Sequence, residues 1–248
     1  MRTIKAFNVA ETEKYKAFWD RVDCDAWEPE TFKIFDRFLK PDKSFIDIGA
    51  WIGVTALYGA TKVKACYAFE PDRIAFQELI TNINLNPSLR IFPFMSCVAP
   101  QDGFIELYSR TTFGDSQSSL TYSESSNKTV SHAMQLYRFL YDNNIQADVN
   151  FIKVDIEGGE SLLLSSPSFK GILEPYKPTI YLSLHPYWFH DRMSGSDAVL
   201  AVCALYKHVL DSDFEPIVMA DLERRMKYDD VSMLPSKFME IILTDEDI

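Results

Sequence analysis

The chain has 248 residues, 47% of them hydrophobic, with a formal net charge of -11. That is enough apolar material for one large core, and the negative charge opposes the attraction on which nucleic-acid and anionic-membrane binding depend. A small molecule or a neutral polymer is the expected partner, and nucleic acid is not.

The opening, MRTIKAFNVAETEKYK, is broken by charges before an apolar leader forms, and no later run is long enough for a bilayer. The expectation is a cytoplasmic protein without membrane insertion. Apolar spacing of three and four in EKYKAFWDRV and PETFKIFDRFL predicts amphipathic helices, so residues 1–40 read as an N-terminal helical extension. Residues 41–248 read as the main domain. From SFIDI onward, the β-rich runs VKACYAFE, RIFPFM, VNFIKVDI and PTIYLSL alternate with helix-like segments, the pattern of a doubly wound, mostly parallel α/β sheet. Residues 90–149 hold an extra strand, GFIELYS, then a Ser-rich loop, FGDSQSSLTYSESSN, and a helix over SHAMQLYRFLYDNN. Beyond the aromatic patch HPYWFH, a helix near SDAVLAVCALYKHVLD leads to two apolar runs, FEPIVM and KFMEIIL, expected as a closing antiparallel hairpin. Cys24, Cys66, Cys97 and Cys203 show no metal spacing and read as buried free thiols. His132, His190 and His208 have no chemistry-bearing neighbours and read as surface or loop residues.

FIDIGAWIG, residues 45–53, is a strand ended by an acid and two glycines around a tryptophan. In doubly wound folds, ligands sit at such a strand-turn-helix corner. Asp47 would repel a pyrophosphate, the G-x-G-x-x-G spacing of a dinucleotide site is absent, and no lysine follows to make a P-loop. S-adenosylmethionine has no phosphate and carries a sulfonium and an ammonium, so a carboxylate suits its methionine end. A second acid, Glu70 in YAFEPD, stands near the spacing of roughly 20 residues at which a carboxylate meets ribose hydroxyls. The expected cofactor contacts are Asp47, Gly49, Ala50, Gly53, Glu70 and Pro71. As alternatives, Gly49 and Gly53 are ordinary turn glycines and Asp47 caps the next helix.

DIGAWIG, YAFEPD, NINLNP and NFIKVDIEGGE together resemble the FkbM family of S-adenosylmethionine-dependent methyltransferases, over about residues 44–186. The resemblance implies a class I methyltransferase (Rossmann-like) fold and O-methylation of a sugar, glycan or other hydroxylated small molecule. The family usually reads closer to DIGANIG. Trp51 therefore either turns away from the methionine tail or packs over it.

FIKVDIEGGE places Asp155 and Glu157 at a strand end where this fold presents groups to the transferred methyl. Glu160, in a first helical turn, is explained by the helix dipole. A hydroxyl acceptor must lose a proton, so Asp155, Glu157 and His185 at the end of IYLSLH are the candidate catalytic set. Asp155 and Glu157 are also the candidate ligands for Mg²⁺ or Mn²⁺. Tyr187, Trp188 and Phe189 stack on a sugar or belong to the core, and residues 114–119 form a lid or a solvated loop. The competing functions are an NAD-dependent oxidoreductase and a cofactor-binding protein of the same fold without catalysis.

Overall fold

In the computed structural model, residues 1–120, 127–229 and 239–247 are described. The chain opens with a hairpin of β1 (Arg2–Ile4) and β2 (Phe7–Val9), then α1 (Lys16–Asp23) and α2 (Pro29–Phe38). The helical face of Trp19, Phe32, Phe35 and Phe38 is buried in one cluster with Phe45 and Phe151 of the central sheet. Burying each such side chain contributes about 1.5–3 kcal/mol, so these helices are held by the core they cover. The hairpin was not legible, because its strands are three residues long and carry little periodicity.

The βαβ core follows: β3 (Ser44–Ile48), α3 (Val54–Ala60), β4 (Ala65–Phe69), α4 (Arg73–Asn84) and β5 (Ile91–Phe94). Asp72 caps α4 by accepting from Ile74 N at 2.7 Å and Ala75 N at 3.3 Å. A small sheet is inserted next, from β6 (Cys97–Val98), β7 (Gly103–Ser109), β8 (Ser118–Ser119) and β9 (Lys128–Met134). Then come α5 (Leu136–Asp142), β10 (Val149–Val154), α6 (Glu160–Ser165), α7 (Pro167–Tyr176), β11 (Thr179–Leu184), α8 (Arg192–Cys203), β12 (His208–Leu210), α9 (Met219–Lys227) and β13 (Met239–Thr244).

The main sheet runs β12-β13-β11-β10-β3-β4-β5, with every pair from β11 to β5 parallel and β13 antiparallel to both neighbours. Strands β3 and β11 are buried along their whole length, as expected of a parallel sheet covered on both faces. The chain leaves β3 toward β4 and β5, then returns to build β10 and β11 on the other side. The switch point lies between β3 and β10, where such folds bind ligands. Gly49 is the residue this junction demands. Its φ is +83°, and a Cβ there would stand 1.9 Å from the Asp155 carbonyl oxygen.

Four expectations are corrected. SHAM belongs to β9, paired antiparallel with β7, and the helix begins only at Leu136. The partner of β13 is HVL of β12, while FEPIVM contributes one isolated bridge at Pro216, because a strand needs a free edge as well as apolar residues. His208 accordingly lies in a strand. Cys24 is exposed, whereas Cys66, Cys97 and Cys203 are buried free thiols. The end of the Ser-rich loop, residues 121–126, and the start of KFMEIIL lie outside the described residues.

Candidate active site

A cavity of about 550 Å³ opens at the carboxyl ends of β3, β4, β10 and β11. Gly49, Ala50 and Trp51 line it from the turn after β3, Glu70 and Pro71 from the end of β4, and Ser118 and Ser119 from β8. Asp155, Glu157 and His185 close the far side.

Glu70 is 5% exposed and accepts from Trp51 N at 2.8 Å and Asp72 N at 2.7 Å. Burial pushes its carboxyl up to about 8 despite those two hydrogen bonds. The Trp51 indole packs edge-on against Tyr15 and Phe18 and donates Nε1 to the Gly114 carbonyl at 3.3 Å. Tyr15 donates to the same carbonyl at 2.7 Å. Trp51 is therefore absorbed by the N-terminal helices and the 110–120 segment, and it forms one wall of the cavity without filling it. Residues 114–119 form part of the enclosure, since Gly114 N and Ser118 Oγ both donate to Asp72 Oδ2.

Asp47 and Gly53 stand behind the cavity wall. Asp47 is fully buried, accepts from Thr55 Oγ1 at 2.6 Å, and faces Lys153 Nζ at 3.5 Å. Burial raises its pKa above the ordinary carboxylate value, with Lys153 opposing. Lys153, which the sequence reading passed over, is 3% exposed and lies between Asp47 and Asp155, 3.3 Å from the latter. Burial alone would lower its pKa, but the charges of Asp155, Asp47 and Glu28 outweigh that and hold it above the usual lysine value. The available signal was a lysine inside the otherwise apolar run NFIKVDI.

The three candidate catalytic residues converge. His185 Nε2 is 4.0 Å from Asp155 Oδ1 and 3.8 Å from Glu157 Oε2, and the His185 ring stacks on Trp188 at 5.1 Å. Glu160 has a further role beyond the helix dipole. It is fully buried, accepts from Ile156 N and Gly158 N at 3.0 Å each, and meets His185 Nδ1 at 3.0 Å. That contact fixes the imidazole with Nε2 toward the two carboxylates. Burial would lower the His185 pKa, but Glu160, Glu157 and Asp155 prevail and raise it to about 9. Burial pushes Glu157 up to about 7, against the opposing charges of His185 and Arg110. Arg110, also unforeseen, binds Glu157 Oε2 at 3.1 Å and its carbonyl at 2.8 Å while lying over the Trp188 ring at 3.4 Å. Of the other aromatic candidates, Tyr187 is 57% exposed and Phe189 is core.

No curated protein sequence matches the chain. Among solved structures it is similar to an rRNA methylase from Streptococcus thermophilus, with 9% identity and a TM-score of 0.48 over 87% of this chain and 95% of that one. A TehB-like SAM-dependent methyltransferase from Corynebacterium glutamicum matches with 11% identity and a TM-score of 0.46 over 94% and 97%. Aeropyrum pernix fibrillarin with bound S-adenosyl-L-methionine matches with 10% identity and a TM-score of 0.42 over 83% and 67%. The family description "Methyltransferase FkbM domain" matches residues 47–215, most of the chain, and spans Asp47, Glu70, Asp155, Glu157 and His185. The chain belongs to the FkbM methyltransferase family and has the class I, S-adenosylmethionine-dependent methyltransferase fold.

Proposed function

We propose that the protein is an O-methyltransferase, transferring the methyl group of S-adenosylmethionine to a hydroxyl of a sugar, glycan or other hydroxylated small molecule. The observation that carries this reading is the convergence of Asp155, Glu157 and His185 on the wall of the switch-point cavity. The residues at the other end suit the cofactor. The turn after β3 lines the cavity with the small residues Gly49 and Ala50, whose N–H groups donate to the Phe69 carbonyl, and Glu70 presents its buried carboxylate for paired ribose hydroxyls. Pro71 contributes wall, while Asp47 acts from behind by fixing Lys153 and the turn. When bound, S-adenosylmethionine supplies a methyl group activated by its sulfonium. The acceptor oxygen takes that methyl and gives up its proton, and a group titrating near neutrality is the fitting receiver. Burial raises the Glu157 carboxyl toward neutrality, which suits that role, while the facing carboxylates raise the His185 imidazole, which holds its proton and offsets the negative charge of the cluster.

A second reading of the same cluster is a divalent cation. One ligand atom each from Asp155, Glu157 and His185 lie within 4.8 Å of one another, and two carboxylates with one imidazole are acceptable to Mg²⁺ or Mn²⁺. Such an ion would lower the pKa of the acceptor hydroxyl. Family membership leaves the nicotinamide alternative without support. No described helix is long and apolar enough to cross a membrane.

S-adenosylhomocysteine should raise the melting temperature and NAD should not, because only a ligand of the native state stabilises it. Product masses 14 Da above hydroxylated glycan acceptors would identify the reaction, where ~14 Da is one methyl replacing one hydrogen; stabilisation without turnover on any acceptor would favour a non-catalytic binding protein. Glu70→Ala should weaken S-adenosylhomocysteine binding by about 1–3 kcal/mol, the worth of charge-assisted hydrogen bonds to the ribose. Unchanged affinity by calorimetry would remove Glu70 from the cofactor site.

A further inference from the structure

A second cavity, of about 530 Å³, adjoins the first along the carboxyl edge of the sheet. Glu28, in the left-handed turn that opens α2, lines both cavities. The sheet register makes the same connection: Ser183 of β11 lines the first cavity, and its partner across the ladder, Glu240 of β13, lines the second. The second cavity therefore lies next to the first along the same edge, with Glu28 in the wall they share.

Its walls have a definite chemistry. Ile217, Val218 and Leu222 give it an apolar side, and Glu28, Asp211 and Glu240 face it with carboxylates, against Arg225 as the cation of the described lining. Two further acids, Glu30 and Asp221, are engaged by Lys33 and Arg224 on their own helices. Glu240 accepts from Tyr181 OH at 2.6 Å, and Tyr181 in turn meets Thr31 Oγ1, which reaches Glu28 Oε2 at 3.3 Å. This network fixes both carboxylates in place without supplying either with a cation. Burial and the acids Asp155 and Glu240 push Glu28 up to about 8 against the weaker opposing effect of the Lys153 charge, and a cationic ligand in the cavity would relieve that cost.

We propose that this cavity is the distal subsite of an elongated acceptor and takes a polyhydroxylated, ammonium-bearing unit such as an amino sugar, with Glu28 and Glu240 as its specificity-determining residues. The reacting hydroxyl then lies at Asp155 and Glu157 while the ammonium is held beyond Glu28. The placement of that hydroxyl rests on the methyl-transfer reading above; the charge preference of the cavity does not.

The test titrates three trisaccharides into the protein by calorimetry, with and without S-adenosylhomocysteine: a glucosamine trimer, its neutral N-acetylated counterpart and a galacturonate trimer. The glucosamine trimer should bind at least ~10-fold more tightly than the neutral one, as a charge-assisted contact provides, and the galacturonate trimer should bind most weakly. Glu240→Gln and Glu28→Gln should each remove most of that preference while leaving the affinity for the neutral trimer in place. A Gln side-chain oxygen still accepts from Tyr181 or Thr31, so both variants should keep the wild-type melting temperature. Equal binding of cationic and neutral trimers, a preference that survives both substitutions, or no binding of any trimer would overturn the proposal. If S-adenosylhomocysteine fails to bind but the glucosamine preference is present and lost in the variants, the methyl-transfer reading falls and the subsite stands.

Discussion

Glu157→Gln is expected to lower the methyl-transfer rate by about 10²–10⁴-fold while leaving S-adenosylhomocysteine affinity near wild type. The proton receiver must be ionised to act, so the wild-type rate should rise with pH through about 7, and Glu157→Gln should lose that limb. His185→Ala gives a different signature. The His185 charge holds the Glu157 pKa down, so its removal should move the limb to higher pH as well as reduce the rate. If a divalent cation is used instead, EDTA abolishes activity of the wild type and added Mg²⁺ or Mn²⁺ restores it. Single-turnover rates near wild type in Glu157→Gln, Asp155→Asn and His185→Ala together would place the chemistry elsewhere.

Lys153→Met should destabilise the fold by about 3–5 kcal/mol, because it leaves Asp47 buried without its counter-charge. The sign with pH is fixed. Asp47 has a folded-state pKa above its unfolded value, so in the variant the penalty is present at neutral pH and fades as the pH falls and the carboxyl is protonated. Asp47→Asn in the Lys153→Met background should recover most of the loss, since an amide needs no counter-charge. Urea midpoints measured at pH 7 and pH 5 read both effects. A Lys153→Met midpoint equal to wild type would mean that the pair does not hold the turn.

The separate roles of the acids illustrate how far local pattern reaches. Glu70 and Asp155 were placed on the cavity wall by strand-end position alone, because a strand that enters a turn at the sheet edge delivers its last side chains there. Asp47 stands two residues earlier in its strand, in register with Ala68 and Lys153, so it sits behind the wall, where Lys153 on β10 meets it from the next strand. Glu160 was explained by the helix dipole, and its contact with His185 spans 25 residues that no local rule connects.

The sequence by itself determined the alternation of strands and helices, the cavity-lining turn at Gly49, and the candidates Asp155, Glu157 and His185, because periodicity, turn chemistry and strand ends are properties of neighbouring residues. Tertiary structure alone decided that SHAM pairs with β7 as a strand, that HVL and not FEPIVM lies beside β13, and that Lys153 meets Asp47 and Arg110 meets Glu157, acids far from them in the chain. It also decided which groups titrate near neutrality, because burial and the number of facing charges set those values. Pairing partners, burial and facing charges depend on elements brought together across the chain, and single-sequence spacing does not encode them.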